Sequence, residues 1–130
     1  MRSREIPSID WRAVALGLLL AVAIAFLGSW LGVRAAPMFG VAAIFFGIAA
    51  GAFLAGKRAE SAPLYQAVSV GAGYIVLEAI GLVPGPLGPG EGAVADTLAI
   101  FAGDLILLAV AAGAGWLAAL SFSSGTGRAR

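Results

Sequence analysis

Charged residues along this chain come in clusters, and long apolar stretches separate them. Residues 13–33 and 35–56 carry no charge at all, residues 61–90 carry only Glu78, and residues 97–127 carry only Asp104. A helix needs ~20 apolar residues to cross the ~30 Å of hydrocarbon in a bilayer. The pattern predicts four transmembrane helices over 11–33, 37–56, 63–82 and 94–121, with a polar tail at 122–130. Helices are required because lipid cannot satisfy open backbone groups, and no strand-length alternation suggests a barrel. The expected fold is therefore all-α: an integral membrane four-helix bundle forming one polytopic domain over residues 1–130.

Local punctuation agrees with these bounds. Pro37 and Pro63 stand where the second and third helices begin, positions at which a missing N–H costs nothing. Gly56 closes the second helix. The run Val83-Pro84-Gly85-Pro86-Leu87-Gly88-Pro89-Gly90 cannot stay helical and reads as the longest loop. Asp96-Thr97 supplies a cap near the start of the fourth helix.

Composition narrows the chemistry. The chain is 61% hydrophobic and 12% charged, about half the charge of a soluble domain. It has no Cys and no His, which excludes disulfides, iron–sulfur clusters, haem ligation and nearly every zinc site. The commonest general base and the thiol nucleophile are missing too. Ser69 has no His or nearby Lys to activate it. No catalytic residue, cofactor or metal site is expected. A net charge of +1 offers no basic field for nucleic acid. The stretch from Gly51 to Arg58 meets the phosphate-loop spacing through Lys57, but Arg58 replaces the hydroxyl that would hold magnesium. Lys57 and Arg58 read instead as topology anchors.

Orientation follows from the cations. With the N-terminus in the cytoplasm, Arg2, Arg4, Arg12, Lys57, Arg58, Arg128 and Arg130 fall inside and only Arg34 outside. Trp11, Tyr65 and Trp116 then lie near the inner interface and Trp30 near the outer one. This predicts a multi-pass plasma-membrane protein with both termini cytoplasmic. Residues 1–36 also have the layout of a secretory signal. Their uncharged stretch is longer than the usual ~7–15 residues of such a core, and Arg34 sits awkwardly beside the cleavage point.

Within lipid, helices associate through small residues that let backbones approach. The second helix carries Gly47-x-x-x-Gly51, the third places Ala67 and Gly71 on one side, and the fourth aligns Ala111, Gly115 and Ala118. Gly47, Gly51, Gly71 and Gly115 are thus candidate packing positions. Packing within the chain is the simpler reading, and a dimerisation face the rarer one. Phe39, Phe46 and Phe53 recur every seven residues on another side and are expected to face lipid or a neighbour.

Glu78 and Asp104 are the candidate polar site. A charge at mid-bilayer costs at least ~2.5–3.5 kcal/mol on insertion scales, so such residues usually face protein or water. At ~1.5 Å of rise per residue, Asp104 is expected near the midplane and Glu78 nearer the outer surface. Tyr74 would then lie level with Asp104 and donate a hydrogen bond to it, while Arg34 reaches down to Glu78. Three readings stay open: a proton or cation relay, polar glue fixing helix register, or attachment of a partner subunit.

The stretch Gly47 to Leu82, with Ala55-Gly56-Lys57-Arg58 closing the second helix and a Gly-rich third helix, resembles a family of small bacterial four-helix membrane proteins, a domain of unknown function. The Asp96-Thr97-Leu98 start and the Ala-Gly-rich fourth helix fit the same pattern. The resemblance implies a multi-pass plasma-membrane protein and carries over no catalytic residue. The expected function is a non-enzymatic membrane protein that packs against other membrane helices, as a structural or accessory subunit. The alternative is a small transporter or ion-pathway subunit using the intramembrane acids. Expected partners are the lipid bilayer and either a second copy or a larger membrane complex.

Overall fold

Asp10 fixes where the first helix begins. Its carboxylate accepts from the backbone N–H of Arg12 at 3.1 Å and of Ala13 at 3.2 Å, satisfying two of the donors a helix start leaves open. The computed structural model describes residues 6–86 and 93–125. From this cap it runs through α1 (Trp11–Arg34), α2 (Pro37–Arg58), α3 (Pro63–Ala79) and α4 (Ala93–Gly125). Among the described residues there is no strand.

Only Ala35 and Ala36 separate α1 from α2, so the two form a tight antiparallel hairpin. Ala59 to Ala62 turn the chain from α2 into α3. The last of these holds a left-handed φ of 49°, a conformation that costs a residue with a Cβ, and it aims Pro63 into the first turn of α3. The middle of the bundle is α2 beside α3. Each touches both α1 and α4, whereas among the described residues α1 and α4 do not meet.

The core is built from the smallest side chains. α1 buries Ala13, Gly17, Ala21, Ala25, Gly28 and Gly32 along one stripe, and α2 buries Gly47, Gly51, Ala52, Ala55 and Gly56 opposite. Tyr74, Ile48, Leu107 and Val70 are the large side chains sealed inside. The outside carries the bulk: Phe26, Leu27, Trp30, Phe39, Phe46, Phe101, Leu105 and Trp116 are all more than half exposed. Within the phenylalanine row, Phe39 and Phe46 point outward, but Phe53 packs against the core beneath the Lys57 ammonium, 5.6 Å from its ring.

Helix bounds depart from expectation most in α3 and α4; α2 also runs on through Lys57 and Arg58 to a cap at Ala59, so Gly56 packs inside the helix and does not close it. The third helix stops at Ala79 and not at 82, because Gly81 adopts a left-handed φ of 76°. The Gly81 N–H bonds the Glu78 carbonyl and the Leu82 N–H bonds the Leu77 carbonyl, each at 2.9 Å. This paired closure is how a glycine after the cap ends a helix. The fourth helix is longer than predicted at both ends. It starts at Ala93, so Asp96 lies in its first turn and Asp96-Thr97 is not the cap. It also runs through 122–125, part of the expected tail; residues 126–130 lie outside the described residues. Ser121 and Ser123 stay compatible with the helix by donating to the carbonyls of Ala118 and Leu120 at 2.7 and 2.8 Å.

Three helices are long and apolar enough to cross a membrane: α1, α2 and, within α4, Asp96–Ser123. With 17 residues, α3 rises only ~26 Å and is not among them.

Candidate functional site

The bundle has a near end, where α1 begins, and a far end, where α1 turns into α2. Polar side chains gather at both, and small residues fill the length between them.

At the near end, Gln66 in the first turns of α3 is fully buried. The Asp10 N–H donates to its Oε1 at 3.0 Å, and its Nε2 donates to the Ser8 carbonyl at 2.9 Å. One amide thus ties the chain before α1 onto α3, more than fifty residues away. An unpaired buried amide would be costly, so the strap and the glutamine require each other. Gln66 was not among the candidate residues read from the sequence. The signal was present, because Gln66 lies on the helical face of Val70 and Tyr74, both buried.

Between the ends, each candidate packing glycine meets a neighbouring helix. A Cβ on Gly51 would strike the carbonyl oxygen of Gly17, and one on Gly47 would lie 2.8 Å from the Ala21 carbonyl oxygen. In the other half, a Cβ on Gly71 would lie 2.9 Å from the Ala111 Cβ, and one on Gly115 would lie 2.5 Å from the Ala67 Cβ. These four glycines are buried within the chain.

At the far end, the register of α3 against α4 decides who meets whom. Ala67 pairs with Gly115 and Gly71 with Ala111. Continued along two antiparallel helices, that register carries Glu78 opposite Asp104. Tyr74 falls one turn away, so the expected levels are corrected: Glu78, not Tyr74, is level with Asp104. The Tyr74 hydroxyl donates instead to the Pro84 carbonyl at 2.8 Å. Arg34 does not reach down to Glu78 either. Its guanidinium stacks over the Trp30 ring at 4.5 Å, where a cation–π contact and its place in the last turn of α1 both favour it.

Glu78 and Asp104 are each half-buried. Glu78 sits next to the end of α3, so it is closer to that end than the predicted helix placed it. Among the described residues its buried Oε2 has no hydrogen-bond partner. Its Oε1 lies against Gly85, where any Cβ would strike it. The arrangement offers two facing carboxyls from adjacent helices, and the chain after α3 folds back over one of them. Pro84 and Gly85 also border a cleft of ≈ 280 Å³ lined by Ser29, Gly32, Gly40 and Ile44 of the first hairpin.

No family model matches the chain, and no curated protein or solved structure matches it.

Proposed function

We propose that this chain is a multi-pass membrane protein in which the short α3 is the fourth crossing, leaving both termini in the cytoplasm, and that it acts without catalysis as a structural or accessory subunit among other membrane helices. The observation that carries this reading is the distribution of side-chain size. Ala and Gly fill the interior, while Phe26, Phe46, Phe101, Leu105 and Trp116 cover the exterior. A soluble monomer rarely exposes continuous apolar patches beyond a few hundred Å². In lipid the same surface is solvated, and close packing through small residues supplies the association. The excess of Lys and Arg at the near end favours that end as the cytoplasmic one. Because the glycine seams are occupied within the chain, a partner would meet the outer faces of the helices.

Affinity purification from native membranes in mild detergent tests this reading. It expects a second copy or a defined membrane protein to co-purify in fixed proportion. Recovery of a lone monomer from every mild detergent would end the subunit reading.

A second reading, a proton or cation pathway, is favoured by one specific observation: the α3–α4 register sets Glu78 opposite Asp104, and among the described residues the Glu78 Oε2 has no hydrogen-bond partner. Intramembrane acids of this kind are functional-site hypotheses by default. Reconstitution of Glu78→Gln and Asp104→Asn into vesicles separates the options. Lost ion flux with an intact fold supports the pathway. Loss of the fold supports polar glue.

A further inference from the structure

We infer that residues 82–86 form a lid over the Glu78 carboxyl, hinged at Gly81 and latched by the Tyr74 hydroxyl. The hinge is the one described glycine with a left-handed φ, and a Cβ there would meet nothing within 4 Å. The segment beyond it does not run free into solvent. Leu82 faces outward, but Val83 is 8% exposed and Pro86 is buried, so the segment packs onto the bundle at two points.

Irregular backbone among apolar helices needs every polar group accounted for. Pro84 and Pro86 carry no N–H, which removes two donors outright. The Leu82 N–H is satisfied by the Leu77 carbonyl. The Pro84 carbonyl is satisfied by Tyr74, the largest fully buried side chain of the protein. Among the described residues, this side-chain hydrogen bond to the segment serves as the latch. Gly85 is the covering residue, because only the lack of a Cβ lets the backbone lie flat against the carboxyl. The cleft bordered by Pro84 and Pro86 on the first hairpin gives the segment room on its other side. The lid deepens the pathway reading, as the cover over one of its acids, but its test measures access alone and needs no transport.

The chain has no native cysteine, so Glu78→Cys provides a unique reporter in the full-length protein. The rate of its reaction with a water-soluble maleimide is measured in detergent, alone and combined with Tyr74→Phe. Ser69→Cys on α3, away from the lid, serves as the reference. A closed lid predicts slow labelling of Glu78→Cys. Loss of the latch is expected to accelerate it about tenfold, the scale of one hydrogen bond, with the Ser69→Cys rate unchanged. Fast labelling without Tyr74→Phe would overturn the lid. Equal rates with and without Tyr74→Phe would overturn the latch. Equal acceleration of both reporters would mean that the whole bundle loosens, and would overturn the proposal.

Discussion

The two halves of this bundle use the same small residues to different ends. Between α1 and α2 the glycines press mostly on backbone, from Gly17 against Gly51 at one level to Gly32 against Gly40 at another, with Gly28 against the Ala43 methyl between them. That seam runs the length of the hairpin and carries no ionisable side chain between Arg12 and Arg34 of α1. Between α3 and α4 the glycines meet methyl groups instead, Ala111 and Ala67. Past Tyr74 that seam gives way to Glu78, Asp104 and a folded-back segment. A backbone seam tolerates no added atom, whereas a methyl seam has some freedom to adjust. The rigid half reads as scaffold, and the polar groups belong to the half that can adjust.

Substitutions sharpen this contrast. Gly51→Val should do the most damage, because its first added carbon meets the Gly17 carbonyl and neither helix can retreat alone. A loss of about 3 kcal/mol or more is expected, at the upper end for overpacking, read as the folded fraction during denaturant titration in detergent. Gly71→Val should cost less, ~1–3 kcal/mol, since the Ala111 methyl can shift with its helix. If Gly71→Val proves the worse of the two, the distinction between the halves fails. Gln66→Leu should destabilise by ~1–3 kcal/mol, because the Asp10 N–H and the Ser8 carbonyl lose their partners. Proteolysis near the N-terminus should quicken in the same variant. The smallest effect belongs to Gly113→Ala. Nothing lies within 4 Å of a Cβ there, so the substitution should raise stability by ~0.5–1 kcal/mol through helix propensity alone. A thermal unfolding series covering all four variants gives the ranking.

The existence of four helices and their starts at Pro37 and Pro63 were legible in the sequence, since charge spacing and proline position act locally. The small residues were legible as stripes for the same reason. The level of Glu78 relative to Asp104 was not. It depends on where Ala67 settles against Gly115, a choice made between helices. The partner of Tyr74 was hidden likewise, because the Pro84 carbonyl comes within reach only after Gly81 turns the chain back. The continuation of α4 through 122–125 was masked by serines, which look like a tail until their hydroxyls bond back to the helix. The strap at Gln66 was half visible: Gln66 shares a helical face with Val70 and Tyr74, but the Ser8 and Asp10 backbone that satisfies it lies outside any helix pattern.

The central claim is that the large apolar exterior faces hydrocarbon. Nitroxide labels at Phe46→Cys on α2 and Leu105→Cys on α4, in the chain reconstituted into phospholipid vesicles, test it most directly. Their relaxation is compared with dissolved oxygen, which concentrates in lipid, and with a water-soluble nickel chelate. Both labels should respond strongly to oxygen and hardly at all to nickel. A strong nickel response at both positions would place these faces in water and contradict the account.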